Sequence, residues 1–185
     1  LGLEFAEGGP LRDGLEIVGE RREGRDETYE IPVGKASSAR DHHNEVVVSL
    51  MEAAASGRRL DVAFRAFDDG IAFRYLIPAP GDFVLVDEHT ELTSPGAPAA
   101  HALPLDSYTT PYEKYYETLP AAAIGPDRLI GLPLLLERPG GPWIAVTEAN
   151  LTDYAGMYLA GIPGSPGVLR SRLSPLPGRA DRAKV

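Results

Sequence analysis

The chain has 185 residues, of which 43% are hydrophobic, so it can build a packed core and a disordered chain is excluded. Its formal net charge of −9 at pH 7 leaves no basic patch that could follow phosphates, and we therefore expect no nucleic-acid partner. Because there is no cysteine, disulfides and thiolate metal sites are excluded, and no apolar run is long enough to predict a membrane span.

Strand patterns dominate the first half of the chain. The segments "LEIVGE" at 15–20 and "NEVVVSLME" at 44–52 are apolar runs bounded by turn residues, and each predicts a strand. After them, "RLDVAFRAFDDGIAFRYLIP" predicts a hairpin that turns at Asp69-Gly70, because this dipeptide favours the positive φ of a tight turn. The segment "SLMEAAASG" has helical propensity, but it continues directly from "EVVV", so we predict the end of a strand there.

The second half predicts more strands, at 82–92, 132–138, 142–149 and 157–162, each flanked by Gly, Pro, Asp or Ser. Between the first two, we expect a short helical turn or an ordered loop at 110–119. From Gly164 onwards the periodicity is lost and proline is frequent, which indicates a linker. Many short strands joined by turns predict an all-β fold, an antiparallel β-sandwich.

Four residues of "RDHHNE", Asp41, His42, His43 and Glu45, could suggest a metal site. Adjacent residues of an extended segment point to opposite faces, so the two histidines cannot easily share one ion. The geometry favours a polar strand whose side chains form cross-strand hydrogen bonds.

A second cluster is the aromatic segment "YTTPYEKYYETL", which contains Tyr108, Tyr112, Tyr115 and Tyr116 beside two glutamates. Aromatic rings stack on sugar faces and carboxylates bind sugar hydroxyls, so the segment could line a glycan site. Aromatic residues at this density also pack a loop onto a sheet or onto a neighbouring domain, and we favour packing.

Glu148 raises a separate question, because it follows the apolar run "WIAV". If the strand continued, Glu148 would share a face with Ile144 and Val146, and a buried carboxylate without a partner is costly. An arginine or backbone amides of the same domain are the partners that the residues alone favour. The alternative is a hard cation such as calcium, which prefers oxygen ligands. Oxygen-bearing side chains follow at close range, in Asn150, Thr152, Asp153 and Tyr154.

Several stretches, in the same order along the chain, resemble one known family. They are "RDHHNEVVVSL", "RAFDDGIAFRY", "YYETLP" followed by "GLPLLLER", and "TEANLTDYAGMYL". They are similar to the N-terminal domain of glycoside hydrolase family 97, which includes calcium-dependent α-glucosidases and α-galactosidases. The resemblance implies a β-super-sandwich like that of galactose mutarotases, followed in the full-length protein by a catalytic (β/α)8 barrel and a small C-terminal β-domain.

The resemblance also implies separate roles for this domain and for the catalytic barrel. Residues 1–178 would form the sandwich, lacking its first strands, and 179–185 would begin the linker to the barrel. The chain itself would be non-catalytic: it would pack on the barrel, wall one side of the pocket and donate Glu148 to the active-site calcium. Asn150 is close enough in sequence to contact the sugar. We assign no catalytic residue, because those residues would lie on the barrel.

From this assignment we expect Glu148 to be exposed at a strand end, without a partner inside the domain. The family also implies a periplasmic or secreted enzyme that acts on an oligosaccharide. Two alternatives remain open at this stage. One is a stand-alone carbohydrate-binding module that uses the tyrosines. The other is a mutarotase-like epimerase, which would need His89 or His101 beside Glu148 as an acid–base pair.

Overall fold

The computed structural model describes residues 1–53, 57–79 and 81–179, together with the backbone of 183–184. Two compact units divide the chain: Leu1–Arg12 with Asp82–Val185 (unit 1), and Asp13–Gly81 (unit 2). The strands are β1 (Leu3–Phe5), β2 (Gly9–Leu11), β3 (Leu15–Glu30), β4 (Ser38–Glu52), β5 (Arg59–Phe67), β6 (Ile71–Leu76), β7 (Val84–Glu88), β8 (Glu91–Thr93), β9 (Ala99–Leu105), β10 (Glu117–Pro120), β11 (Leu129–Glu137), β12 (Ile144–Val146), β13 (Met157–Ile162), β14 (Ser165–Leu173) and β15 (Ala183–Lys184), with a 3-10 helix at Ala121–Ala123.

Unit 2 is one antiparallel sheet in the order β3-β4-β5-β6. The predicted hairpin is confirmed: Phe64 lies opposite Phe73, and the Phe67 N–H donates to the Gly70 carbonyl at 2.8 Å. The predicted turn geometry is wrong, since Asp69 and Gly70 are not among the described residues with positive φ. Strand β4 continues to Glu52, as predicted for "SLME", while 54–56 lie outside the described residues.

The acidic and basic side chains of β4 and its neighbours pair with one another inside unit 2. Glu45 is buried, and the Nε of Arg65 donates to its carboxylate at 2.6 Å. This bond is the main reason that the pKa of Glu45 lies below its usual value. His43 is also buried, and its Nδ1 is hydrogen-bonded to the Asp41 carboxylate. The prediction of a polar strand is confirmed, and no group of metal-ligating residues is found in the described part of the chain.

Unit 1 contains two antiparallel sheets. Their orders are β15-β7-β1-β2 and β10-β9-β11-β13-β14-β8, with β12 beside β11. The core lies against the larger sheet, and each fully buried leucine or isoleucine stabilises the fold by roughly 1.5–3 kcal/mol. Its buried members are Ala100, Ala102, Ala121, Ile124, Ile130, Leu134, Leu136, Leu159 and Leu169.

The linker predicted from Gly164 onwards is wrong over its first part. Residues 165–173 form β14, which pairs with β13 on one side and β8 on the other. The strand was hidden because its buried side chains alternate apolar and polar: Leu169 and Ser171 are both buried, and the Ser171 hydroxyl donates to the Glu88 carbonyl at 2.7 Å. The segment 82–92 divides into β7 and β8, and 110–119 is a loop that leads into β10.

The all-β antiparallel class predicted from the sequence is confirmed. Within the described residues, the 3-10 helix is the one helix present, and no helix there has the length and apolar character needed to cross a membrane.

Candidate functional site

The loop 147–156 leaves the larger sheet of unit 1 between two strands. Strand β11 pairs with β9 along one edge, so β12 and β13 must both use the other edge. Val146 lies opposite Leu134, and Leu159 lies opposite Ile130. The chain therefore departs after β12 and returns at β13 a few residues further along the same edge.

Glu148 lies in this loop, two residues after the end of β12. Its side chain is half-buried, and its Oε1 accepts a hydrogen bond from the N–H of Met157, the first residue of β13, at 2.9 Å. Burial is the main cause that raises the pKa of Glu148; the negative charge of Glu88 adds to it, while the Met157 N–H opposes it. No arginine or lysine in the described residues forms an ion pair with Glu148.

The expectation of an exposed Glu148 without an internal partner is therefore wrong. The residues alone had favoured an arginine or backbone amides of the same domain as the partner of Glu148, and a backbone amide does serve as a partner. Only one carboxylate oxygen is used in this way, and no donor from the described residues binds the other oxygen.

A second carboxylate, that of Glu88, is near enough for its charge to raise the pKa of Glu148. Glu88, the last residue of β7, is only 5% exposed, and the hydroxyl of Tyr154 donates a hydrogen bond to its Oε2. Tyr154 belongs to the same loop as Glu148. The loop is thus attached to the sheets through Tyr154 as well as through Met157.

Aromatic rings form another part of this region. Tyr158 of β13 packs against Tyr108, with ring centroids 5.1 Å apart, and against Tyr112, at 6.5 Å. Tyr112 is 52% exposed. Desolvation, a hydrogen bond with Tyr158 and the nearby charge of Glu148 are among the causes that raise the pKa of Tyr112 to about 12.

Gly131 of β11 provides the seat for the Tyr112 ring. A Cβ added to Gly131 would lie 3.0 Å from Cε1 and 3.2 Å from Cζ of Tyr112, which is closer than nearly all real Cβ contacts. The predicted packing role of the tyrosine segment is confirmed for Tyr108 and Tyr112. Tyr115 differs, since it is 94% exposed.

Neither histidine proposed for an epimerase is placed beside Glu148 by its contacts. His101 stacks on Trp143, with centroids 5.4 Å apart, and its Nε2 lies 3.1 Å from Glu137. His89 is hydrogen-bonded to Arg12, with 2.7 Å between its Nε2 and a guanidinium nitrogen of the arginine. No contact of Glu148 with a histidine is found in the part of the chain that the structure describes, which counts against an acid–base pair of this kind.

Asn150 adopts a left-handed backbone conformation, with φ of 53°. Asparagine tolerates this region better than most residues, which gives Asn150 a structural reason to be there besides a sugar contact. We expect Asn150→Ala to lower the free energy of unfolding by about 1 kcal/mol and Asn150→Gly to leave it nearly unchanged. Urea unfolding of both variants measures this. An equal loss in both variants would show that the side chain, not the backbone conformation, matters for stability.

The sheets and this loop define an all-β domain that presents a half-buried carboxylate at a strand end. The sequence profile of the Glycosyl-hydrolase 97 N-terminal family matches residues 1–180, and the chain therefore belongs to that family. A retaining alpha-galactosidase of Bacteroides thetaiotaomicron is 27% identical over 176 residues, which is 90% of this chain and 26% of the relative. A probable retaining alpha-galactosidase of Streptomyces bingchenggensis is 28% identical, over 85% of this chain and 24% of the relative.

Solved structures give the same result. A glycoside hydrolase family 97 enzyme from a Pseudoalteromonas strain, solved with acarbose, has a TM-score of 0.85 and 27% identity, and the match covers all of this chain and 28% of that one. A beta-arabinopyranosidase shares the fold, with a TM-score of 0.81 and 22% identity over 32% of its chain. The chain spans about a quarter of the length of the curated relatives that it matches.

Proposed function

We propose that this domain serves an enzyme that hydrolyses terminal α-glycosidic bonds, and that it donates Glu148 to a calcium ion held mainly by the catalytic barrel. The observation that carries the proposal is the state of the Glu148 carboxylate. One oxygen is fixed by the Met157 N–H, and the other has no donor in the described residues. The relatives named as retaining alpha-galactosidases support α-galactosides as the substrate class.

The residues around Glu148 fit a hard cation. A carboxylate oxygen is a ligand that calcium prefers, and the Glu148 charge is raised in energy by burial and by the charge of Glu88. A cation at this point would offset both effects. No group of three acidic or histidine side chains that could hold a metal is found in the described residues, and the proposal assigns the other ligands to the catalytic barrel.

In this arrangement the bound calcium would polarise and position substrate oxygens and the carboxylates around it. The role of this chain is to hold groups in place. The Met157 N–H fixes one oxygen of Glu148, and the Tyr112 ring packs over Gly131. In the full-length enzyme this ring would wall one side of the substrate pocket. Asn150 lies in the same loop and would contact the sugar. We place the enzyme in the periplasm or outside the cell.

Removal of calcium from the full-length enzyme tests the proposal. We expect chelation to lower the rate of hydrolysis of an aryl α-galactoside at least ~10-fold, and added calcium to restore it, because the metal stabilises charge in the transition state. Mass spectrometry of the native protein should confirm that the metal has left. Full activity in the metal-free enzyme would overturn the calcium part of the proposal, and hydrolysis of β-galactosides alone would overturn the substrate class.

A further inference from the structure

The backbone of Glu88, which carries the second carboxylate, is fixed by contacts on several sides. It is the last residue of β7 and pairs with Leu3 of β1, which is fully buried. Its carbonyl accepts a hydrogen bond from Ser171 of β14, and its N–H donates to the Asp87 side chain at 2.9 Å. The backbone of Glu88 is therefore part of the framework of unit 1, and its side chain is buried.

Hydrogen bonds in the middle and at the end of the loop 147–156 join it to that framework. The Gly156 carbonyl accepts from Ser174 N–H at 2.7 Å, and Glu148 accepts from Met157, so the end of the loop is fixed by backbone groups. In the middle of the loop, the Tyr154 hydroxyl reaches the buried Glu88 carboxylate. A hydrogen bond to a charged, buried acceptor is about twice as strong as a neutral one, which makes this contact a strong side-chain attachment of the loop.

Position 88 carries a charged carboxylate, although a neutral amide could also accept the hydrogen bond from Tyr154. A glutamine at position 88 could accept the same hydrogen bond without placing a second negative charge near Glu148. The glutamate adds repulsion between two partly or wholly buried acids, which is unfavourable in a purely structural contact. The negative charge of Glu88 becomes favourable where a cation is bound nearby, because both carboxylates then attract the cation.

We propose that Glu88 and Tyr154 form a latch that positions Glu148 for its ligand: the buried carboxylate holds the tyrosine, and the tyrosine holds the loop that carries Glu148. The latch rests on the proposed calcium role of Glu148. Neither residue touches the ion or the sugar in this role, so both are positioning residues. Groups that orient metal ligands in this way typically change metal affinity by about 10- to 100-fold.

Calcium titration calorimetry of the full-length enzyme tests the latch. We expect Tyr154→Phe to weaken calcium binding by about 10-fold, since it removes only the hydroxyl and leaves the ring. Tyr115→Phe removes the same group from a tyrosine that is 94% exposed and should leave the affinity unchanged. Thermal unfolding of the calcium-free proteins shows whether each variant still folds.

A double-mutant cycle separates positioning from general damage. If Tyr154 acts through Glu148, Tyr154→Phe should weaken calcium binding little further in a Glu148→Gln background, whereas independent effects would add. Additive losses, or an unchanged affinity in Tyr154→Phe, would overturn the latch while the role of Glu148 stands. An unchanged affinity in Glu148→Gln alone would instead overturn the proposed function. If Tyr154→Phe does not fold, Glu88→Leu, whose side chain cannot accept the Tyr154 hydrogen bond, takes its place in the cycle and should couple to Glu148 in the same direction.

Discussion

Glu148→Gln is expected to weaken calcium binding by the full-length enzyme at least ~100-fold, because affinity at oxygen-ligand sites depends strongly on the number of charged ligands. The fold should survive, since the amide has the same size and its oxygen can still accept the Met157 N–H. Loss of a buried charge near Glu88 should even favour the metal-free fold slightly. The variant thus separates calcium binding from stability.

Calorimetry for calcium, together with kcat/KM at saturating and at trace calcium, measures the effect. We expect high calcium to restore part of the activity, because the remaining ligands still form a weaker site. Glu7→Gln, on an exposed residue next to β1, is the matched control and should change neither quantity. Wild-type affinity in Glu148→Gln would rule out the carboxylate as a ligand, and a large fall in melting temperature would point to a structural role.

Local chemistry explains which parts of the fold could be predicted. The hairpin between β5 and β6 was predictable because its alternating residues and turn lie within twenty residues of one another. Strand β14 was not, because Ser171 looks polar in sequence but is buried through hydrogen bonds to Thr90 and Glu88, more than eighty residues away. A buried polar residue satisfied by distant partners gives no local signal.

The candidate site also has parts that were predictable from the sequence and parts that were not. Glu148 stood out because it interrupts an apolar run, and family resemblance added the calcium. Its backbone partner Met157 is nine residues away, within reach of local reasoning. The contact of Tyr154 with Glu88 spans 66 residues, and the seat that Gly131 makes for Tyr112 needs the pairing of β11 to be known. These parts required the structure.

Gly161→Ala should strongly destabilise unit 1. A Cβ at Gly161 of β13 would lie less than 3.0 Å from the carbonyl oxygen and carbon of Ile124, which are backbone atoms that cannot swing away. Moving β13 away from the segment that follows the 3-10 helix would also weaken the hydrogen bond from the Gly161 N–H to the Gly125 carbonyl, 3.0 Å long. We expect a loss of more than ~3 kcal/mol, the upper end for overpacking.

Thermal unfolding measures this loss, and a fall of roughly 6–12 °C is expected for a chain of this size. Gly19→Ala in β3 is the matched control, because its Cβ would meet only Ser49 at 3.9 Å, an ordinary contact. Equal melting temperatures for the two variants would show that β13 can move away from Ile124. Since β13 begins at Met157, which holds Glu148, a strand displaced at Gly161 should also weaken calcium binding in the full-length enzyme. Gly161→Ala therefore tests whether the packing of β13 against Ile124 also determines the position of the Glu148 carboxylate.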